Sequence, residues 1–171
     1  MALRQTIAVI GASGQYGAAI AKALSAGAYR LLLMDPNENG IAALQKAIDC
    51  EVPQADVEQV ACCREACWEA DLILFALPFS ERNHLIAQMQ EVVTRKTVVF
   101  LLDQPEKNAL NILKKQLPYS GIITIAMYLP VSAADAVRIG VSDSEAGDTA
   151  TKLLHNIRFN EIIQSVKTIE K

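Results

Sequence analysis

Short apolar runs alternate with amphipathic segments along the whole chain. The runs are rich in Val, Ile and Leu at successive positions, which is typical of strands covered on both faces. They predict strands at 6–10, 29–34, 57–62, 71–77, 97–102, 121–127 and 137–142, with an eighth candidate at 161–166. Helical spacing predicts helices at 16–26, 39–50, 64–69, 80–90, 105–116 and 144–157. This alternation predicts an α/β fold with a doubly wound, mostly parallel sheet.

Capping residues support several of these helix starts. Ser80 and Ser144 stand where an N-cap is expected, and Pro105 stands near the start of its helix. No Pro/Gly-rich linker, repeat or low-complexity segment divides the chain, so residues 1–171 are predicted to form one domain.

A glycine loop follows the first predicted strand. Its spacing is Gly11-x-x-Gly14-x-x-Gly17, and it opens the first helix, as in dinucleotide-binding turns. Gly11 permits a tight turn, Gly14 lets the backbone approach a pyrophosphate, and Gly17 lets helix and strand pack closely. The loop therefore predicts an anion site at the helix N-terminus, with Ser13 adding a hydroxyl. The alternative is a structural turn that binds nothing.

Asp35 ends the second predicted strand, where a carboxylate accepts hydrogen bonds from the ribose hydroxyls of NAD. It would repel the 2′-phosphate of NADP, and the following segment 36–39 contains no Arg or Lys to hold that phosphate. We therefore expect NAD(H) to be preferred, with NADP(H) possible, and Asn37 to lie beside the adenosine. The alternative is that Asp35 only caps the next turn.

Composition narrows the class of protein. The net charge is -3 and no basic tract is present, which argues against a nucleic-acid partner. The apolar runs are too short for a membrane span, and the N-terminus enters a strand without a signal-peptide pattern. These features predict a cytoplasmic protein without a membrane partner.

Four cysteines raise the question of a metal site. Cys62, Cys63 and Cys67 lie close together, but no second cysteine pair completes a tetrahedral set, and the two histidines lie elsewhere. We expect no metal, with the cysteines acting as small, half-buried residues in a reducing compartment.

Two longer segments carry a resemblance to known families. Residues 69–89 (EADLILFALPFSERNHLIAQM) resemble the fourth-strand region of deazaflavin-dependent NADP oxidoreductases and prephenate dehydrogenases. Residues 137–166 resemble the late strand–helix–strand unit of both families. The resemblance implies a Rossmann-type domain of an NAD(P)-dependent oxidoreductase or dehydrogenase. It places two sets of residues at the cofactor: Ser13, Gly14, Gln15 and Tyr16 near the pyrophosphate, and Leu77, Pro78 and Phe79 beside the nicotinamide ribose.

Departures from the resembled families leave the reaction open. Prephenate dehydrogenases carry a histidine where this chain has Ala126, so the acid–base step lacks an obvious agent. Both families append a C-terminal helical domain, which we expect to be absent here, so a homodimer is a possible means of completing the pocket. The substrate is an unidentified small molecule. The alternative function is a non-catalytic NAD(H)-binding or sensor module.

Few side chains are candidates for catalysis. His84 is a weak candidate because it lies one turn into the helix after Pro78. Asp103 and Glu106 follow the fifth strand at the expected cleft edge, and we expect them to cap the next helix. Short-chain dehydrogenases share the glycine spacing, but no tyrosine here has the lysine four residues later that their chemistry requires.

Overall fold

A computed structural model describes residues 4–127, 138–159 and 161. The strands are β1 (Gln5–Ile10), β2 (Tyr29–Met34), β3 (Asp56–Gln59), β4 (Leu72–Phe75), β5 (Thr97–Leu102), β6 (Gly121–Ala126) and β7 (Ile139–Val141). The helices are α1 (Gln15–Ser25), α2 (Glu38–Glu51), α3 (Cys63–Glu69), α4 (Phe79–Met89), α5 (Ala109–Gln116) and α6 (Ser144–Asn156).

The seven described strands form one sheet in the order β3-β2-β1-β4-β5-β6-β7. The first six are parallel, and β7 runs antiparallel to β6. Parallel neighbours need crossover connections, and the helices that make them cover the sheet on both sides. The predicted doubly wound, mostly parallel α/β fold is confirmed.

Two apolar cores lie on opposite faces of the sheet, because side chains alternate along each strand. Ile7 and Val9 pack with apolar residues of α1, α2 and α6. Ala8 and Ile10, from the same strand, pack with residues of α3, α4 and α5. The continuous apolar character of β1 therefore reflects burial on both faces.

Two predicted caps differ from the structure. The residue that caps α4 is Pro78, so the predicted N-cap Ser80 lies inside the first turn. The cap of α6 is Asp143, whose side chain accepts from the Ala146 N–H at 2.9 Å. Ser144 is therefore the first residue of that helix rather than its cap. In both cases the chain enters the helix one or two residues earlier than the hydroxyl suggested.

Several boundaries also shift. Helix α5 begins at Ala109 rather than at Pro105, because residues 103–108 form the loop after β5 and Asn108 adopts a left-handed conformation (φ 58°). β3, β4 and β7 are shorter than their predicted runs. The eighth strand predicted at 161–166 lies outside the described residues, except for Glu161, which is helical.

Candidate functional site

A crevice lies at the carboxyl end of β1, where the loops that follow two neighbouring strands diverge. β1 lies between β2 and β4, and the strand order reverses at this point. The loops after β1 and β4 therefore diverge above the sheet. Ligands of open α/β sheets bind at such a switch point.

Two residues of the glycine loop (residues 11–17) are required by the fold itself. Gly11 has φ +82°, and a Cβ there would lie 2.8 Å from the carbonyl oxygen of Ala76. A Cβ on Gly17 would overlap the carbonyl oxygen of Gly11. Only glycine permits the tight turn at the first position and the close approach of α1 to the loop at the second.

Gly14 is a glycine for which the fold supplies no reason. Its backbone has an ordinary extended conformation, and a Cβ would come no closer than 3.5 Å to the Gly11 carbonyl oxygen. Gly14 is the N-cap of α1 and makes no side-chain capping bond. No side chain of residue 14 therefore covers the backbone at the N-terminus of α1, and the positive end of the helix dipole points towards the crevice. This cradle, which a Cβ would fill, fits a pyrophosphate.

Asp35 ties the glycine loop to the end of β2. One carboxylate oxygen accepts from the Ser13 N–H at 3.0 Å, and the other accepts from the Asn37 N–H at 2.9 Å. Asn37 in turn caps α2 by accepting from the Gly40 N–H at 3.0 Å. The carboxylate thus does cap the following turn, and each oxygen keeps a further lone pair for a ligand hydroxyl.

A pocket of about 500 Å³ lies beside Asp35, between the carboxyl ends of β2 and β3. Sequence reasoning missed the β3 side of its wall, which consists of Gln59, Val60 and Ala61. Only the sheet order could reveal those residues, since β3 lies beside β2 in the sheet but far along the chain. Of the described residues that line this pocket, none is Lys or Arg, and Asp35 and Glu38 are acidic.

The opposite wall of the crevice follows β4. Leu77 is buried beneath Gly11, its side chain 2.9 Å from the position of a Cβ on that glycine. Pro78 and Phe79 lie at the surface, and the ring of Phe79 is 37% exposed. The structure therefore places the glycine loop and residues 77–79 on facing sides of one opening.

A buried ion pair stands behind Phe79. Nη2 of Arg82, in the first turn of α4, lies 2.7 and 2.8 Å from the two carboxylate oxygens of Glu106. The Arg82 guanidinium carbon also lies 5.2 Å from the centroid of the Phe79 ring, within cation–π range. The predicted role of Glu106 as a cap of α5 is wrong, because its carboxylate faces α4 instead.

Asp103 also serves α4 rather than α5, contrary to the prediction. Its Oδ1 accepts from the Phe79 N–H at 3.3 Å. The first N–H groups of a helix have no intrahelical acceptor, and an acidic side chain is stabilising at that end. The reason for both errors is tertiary: the end of β5 lies beside the start of α4, while α5 begins only at Ala109.

Comparison with known proteins identifies the family. The model of the family described as "NADP oxidoreductase coenzyme F420-dependent" matches residues 6–108. The chain belongs to this family. The match covers the glycine loop, the end of β2, the wall after β4 and the Arg82–Glu106 pair. No curated protein matches the sequence significantly.

Solved structures share the fold at low identity. An F420-dependent NADP-reductase described from Arthrobacter sp. FB24 is 18% identical with a TM-score of 0.67, covering 88% of this chain and 80% of that chain. A pyrroline-5-carboxylate reductase from Coxiella burnetii is 15% identical (TM-score 0.68; 91% and 57% covered). The NADP-bound pyrroline carboxylate reductase of Plasmodium falciparum is 11% identical (TM-score 0.64; 91% and 55% covered). The chain thus spans little more than half the length of these two reductases.

Membership of this oxidoreductase family accounts for the Rossmann-type sheet and supports a nicotinamide dinucleotide as the ligand. Within the glycine loop, Gln15 is exposed, whereas Tyr16 is half-buried and packs against the core. In the described ranges, no helix combines the length and apolar character that a bilayer crossing needs.

The remaining candidates are His84 and the cysteines. His84 is exposed on α4, and its Nε2 lies 3.0 Å from the side-chain nitrogen of Gln88. Cys63 and Cys67 are buried with their sulfurs 4.0 Å apart, and the hydrogen bond between them together with burial raises the pKa of the Cys67 thiol. Among the described residues, no group of three or more His, Cys, Asp or Glu is arranged to hold a metal ion.

Proposed function

We propose that this chain binds NAD(H) in the crevice between the glycine loop and residues 77–79, and serves hydride transfer as an oxidoreductase. The observation that carries the proposal is Gly14: the fold leaves free the space that its side chain would take, directly at the N-terminus of α1. A backbone surface of this kind accommodates a pyrophosphate at hydrogen-bonding distance. The cytoplasmic location predicted from the sequence belongs to the same proposal, since the adjacent free thiols of Cys63 and Cys67 suit a reducing compartment.

Each predicted site residue has a role in this proposal. The backbone of residues 13–17 receives the pyrophosphate, and Asp35 and Asn37 lie beside the adenosine ribose. Leu77, Pro78 and Phe79 form the wall for the nicotinamide half. When bound, the dinucleotide supplies the hydride chemistry. The chain contributes binding, orientation and the exclusion of water from one face of the ring.

The preference for NAD(H) over NADP(H) rests on charge around the pocket beside Asp35. Two carboxylates line it, from Asp35 and Glu38, and its described lining holds no cation to neutralise a 2′-phosphate. Arg30 is not available, because it pairs with Glu58 and Glu69 at the start of β2. The family description names NADP, so this preference is a specific departure from it.

Titration of the chain with NADH and with NADPH tests both the binding of a dinucleotide and the preference for NAD(H). We expect NADH to bind more tightly, and the double variant Asp35→Ser/Pro36→Arg to reverse that order. The matched control is Asp49→Ser/Cys50→Arg, which likewise removes a carboxylate and adds a guanidinium, at exposed positions late in α2, and is expected to leave the order unchanged. If the parent chain binds neither nucleotide, the proposal is wrong. If the double variant at residues 35 and 36 still binds NADH more tightly than NADPH, Asp35 does not contact the ribose.

Turnover separates an enzyme from a binding module. The family description names coenzyme F420, so the reduced deazaflavin with NAD+ is the first pair to assay, followed by cyclic imines and alcohols with the matching nicotinamide form. Binding without turnover of any of them would favour the sensor module. The homodimer stays a prediction, and sedimentation of the chain with and without NADH measures it.

A further inference from the structure

Arg82 is an unusual residue for the interior of this protein. It is 1% exposed and is the one buried residue that carries a charge in the described part of the chain. Its partner Glu106 has a side chain 9% exposed, and one guanidinium nitrogen reaches both carboxylate oxygens. The Nε and Nη1 groups of Arg82 are buried without a hydrogen-bond partner among the described atoms.

Folding stability gives no reason for such a pair. Burying two charges removes both from water, and their attraction repays that cost only when the remaining N–H groups are also bonded. Here two nitrogens of the guanidinium remain unbonded. Apolar residues of similar volume are often as good or better in such places. The pair is therefore better explained by what it holds in place.

The Arg82 guanidinium holds an aromatic side chain at the edge of the crevice. The guanidinium carbon lies 5.7 Å from the centroid of the buried Phe100 ring and 5.2 Å from the centroid of the partly exposed Phe79 ring. Phe100 is itself stacked on Phe75, with centroids 5.2 Å apart. Arg82 thus connects the stacked rings of β4 and β5 with the partly exposed Phe79.

A second contact fixes the backbone at the same place. The Phe79 N–H donates to Asp103, and the Arg82 N–H donates to the Pro78 carbonyl at 3.2 Å. Asp103 and Glu106 both belong to the loop after β5, so this loop grips the first turn of α4 at two points. Both contacts come from residues that lie 24 positions further along the chain than their partners.

We propose that Arg82 and Glu106 are positioning residues that hold the Phe79 ring against the nicotinamide half of the bound dinucleotide. This inference rests on the proposed function, because it assumes a dinucleotide in the crevice. The adenosine and pyrophosphate contacts lie on the other side of the opening and do not involve the pair. The pair therefore acts on one half of the ligand only.

Comparison of NADH with ADP-ribose tests the inference, because ADP-ribose has the adenosine, pyrophosphate and ribose but lacks the nicotinamide. The variant is Arg82→Met/Glu106→Met, which replaces both charges with apolar side chains of comparable length. We expect its dissociation constant for NADH to rise about three- to tenfold, the size of one aromatic stacking contact, while that for ADP-ribose stays unchanged. The matched control is Arg64→Met/Glu91→Met, which removes an exposed pair of the same residue types and is expected to change neither constant.

The outcomes separate this inference from the proposed function. Equal weakening of both ligands would mean that the pair only maintains the fold, and no weakening of either would mean that it positions nothing; both results overturn the inference. Failure of the parent chain to bind either ligand would instead overturn the proposed function. Circular dichroism and thermal unfolding establish that the variants are folded.

Single variants of Phe79 carry the test even if the double variant fails to fold. Phe79→Ala removes a partly exposed ring, and we expect the same selective loss of NADH affinity. Phe79→Tyr keeps the ring and is expected to retain the parent affinity. Tyr119→Ala, at a 75% exposed aromatic two residues before β6 and so at the amino ends of the strands, is the control. Parent-like binding of NADH by Phe79→Ala would contradict the inference.

Discussion

The two sides of the crevice are built differently. On the β1–β2 side, the loop is shaped by close backbone approaches at Gly11 and Gly17 and by backbone N–H groups that donate to Asp35. On the β4–β5 side, the first turn of α4 is held by side chains, chiefly Arg82 and Glu106. The first side is therefore shaped mainly by backbone atoms, whereas the second depends on a pair of side chains whose residues are 24 positions apart.

This difference decides how each side responds to substitution. A glycine chosen for backbone contact tolerates no Cβ, so single changes there act through steric overlap. A buried ion pair fails when one partner is lost, because the other charge is left without compensation, but it tolerates joint replacement. Four substitutions test this contrast, in order of their expected effect on stability.

Glu106→Met is expected to destabilise the fold most, by about 3–5 kcal/mol, since it leaves the Arg82 guanidinium buried and unpaired. Urea unfolding followed by circular dichroism measures the change. Adding Arg82→Met should recover most of the loss. Glu91→Met, in an exposed pair, should cost less than about 1 kcal/mol. A loss in Glu106→Met no larger than in this control would show that the buried pair carries no special cost.

Gly17→Ala is expected to cost about 1–3 kcal/mol, because its Cβ would overlap the Gly11 carbonyl oxygen and force the loop away from α1. The midpoint of urea unfolding measures this. Gly147→Ala is the matched control in α6, where a Cβ meets only ordinary contacts, and it should be neutral or slightly stabilising. Equal effects at the two positions would refute the close approach.

Asn37→Ala should cost about 1 kcal/mol by removing the side-chain cap of α2 on the β2 side of the crevice. Thermal unfolding measures the effect. Asn37→Asp keeps an acceptor at the helix N-terminus and should retain the parent stability. If the aspartate variant is as unstable as the alanine variant, the Gly40 N–H is not the group that matters.

Gly14→Ala should change stability least, by about 0.5 kcal/mol, yet weaken NADH binding by at least about tenfold. The added methyl group would stand between the backbone and the pyrophosphate while making only ordinary van der Waals contacts with the rest of the fold. Calorimetric titration with NADH measures the loss. If a folded Gly14→Ala protein keeps the full affinity for NADH, the pyrophosphate does not bind at this loop.

Most of the fold could be predicted from the chain alone. Runs that are apolar at most of their positions, such as 97–102 and 29–34, predict strands buried on both faces, and their boundaries match the structure. The N-caps of α4 and α6 were predicted one or two residues too late. Asp143 and Pro78 take cap positions that the nearby serines were expected to fill.

The glycine loop was also predictable, because a requirement for backbone space shows in the residue type. Gly11 and Gly17 lie where a Cβ has no room, and Gly14 lies where the fold leaves room. The β4–β5 side was not predictable in this way. Nothing in the local sequence around Arg82 or Glu106 indicates that the two side chains form an ion pair. Considered by itself, Glu106 resembles a helix cap.

The sequence by itself determined the class of fold, the glycine loop and the carboxylate after β2, since periodicity and glycine spacing are local consequences of strand, turn and helix geometry. Only the tertiary structure decided which residues complete the crevice. It brought Val60 to the pocket beside Asp35, and it paired Arg82 with Glu106 behind Phe79. The physical reason is that parallel strands adjacent in a sheet bring together loops that are distant along the chain.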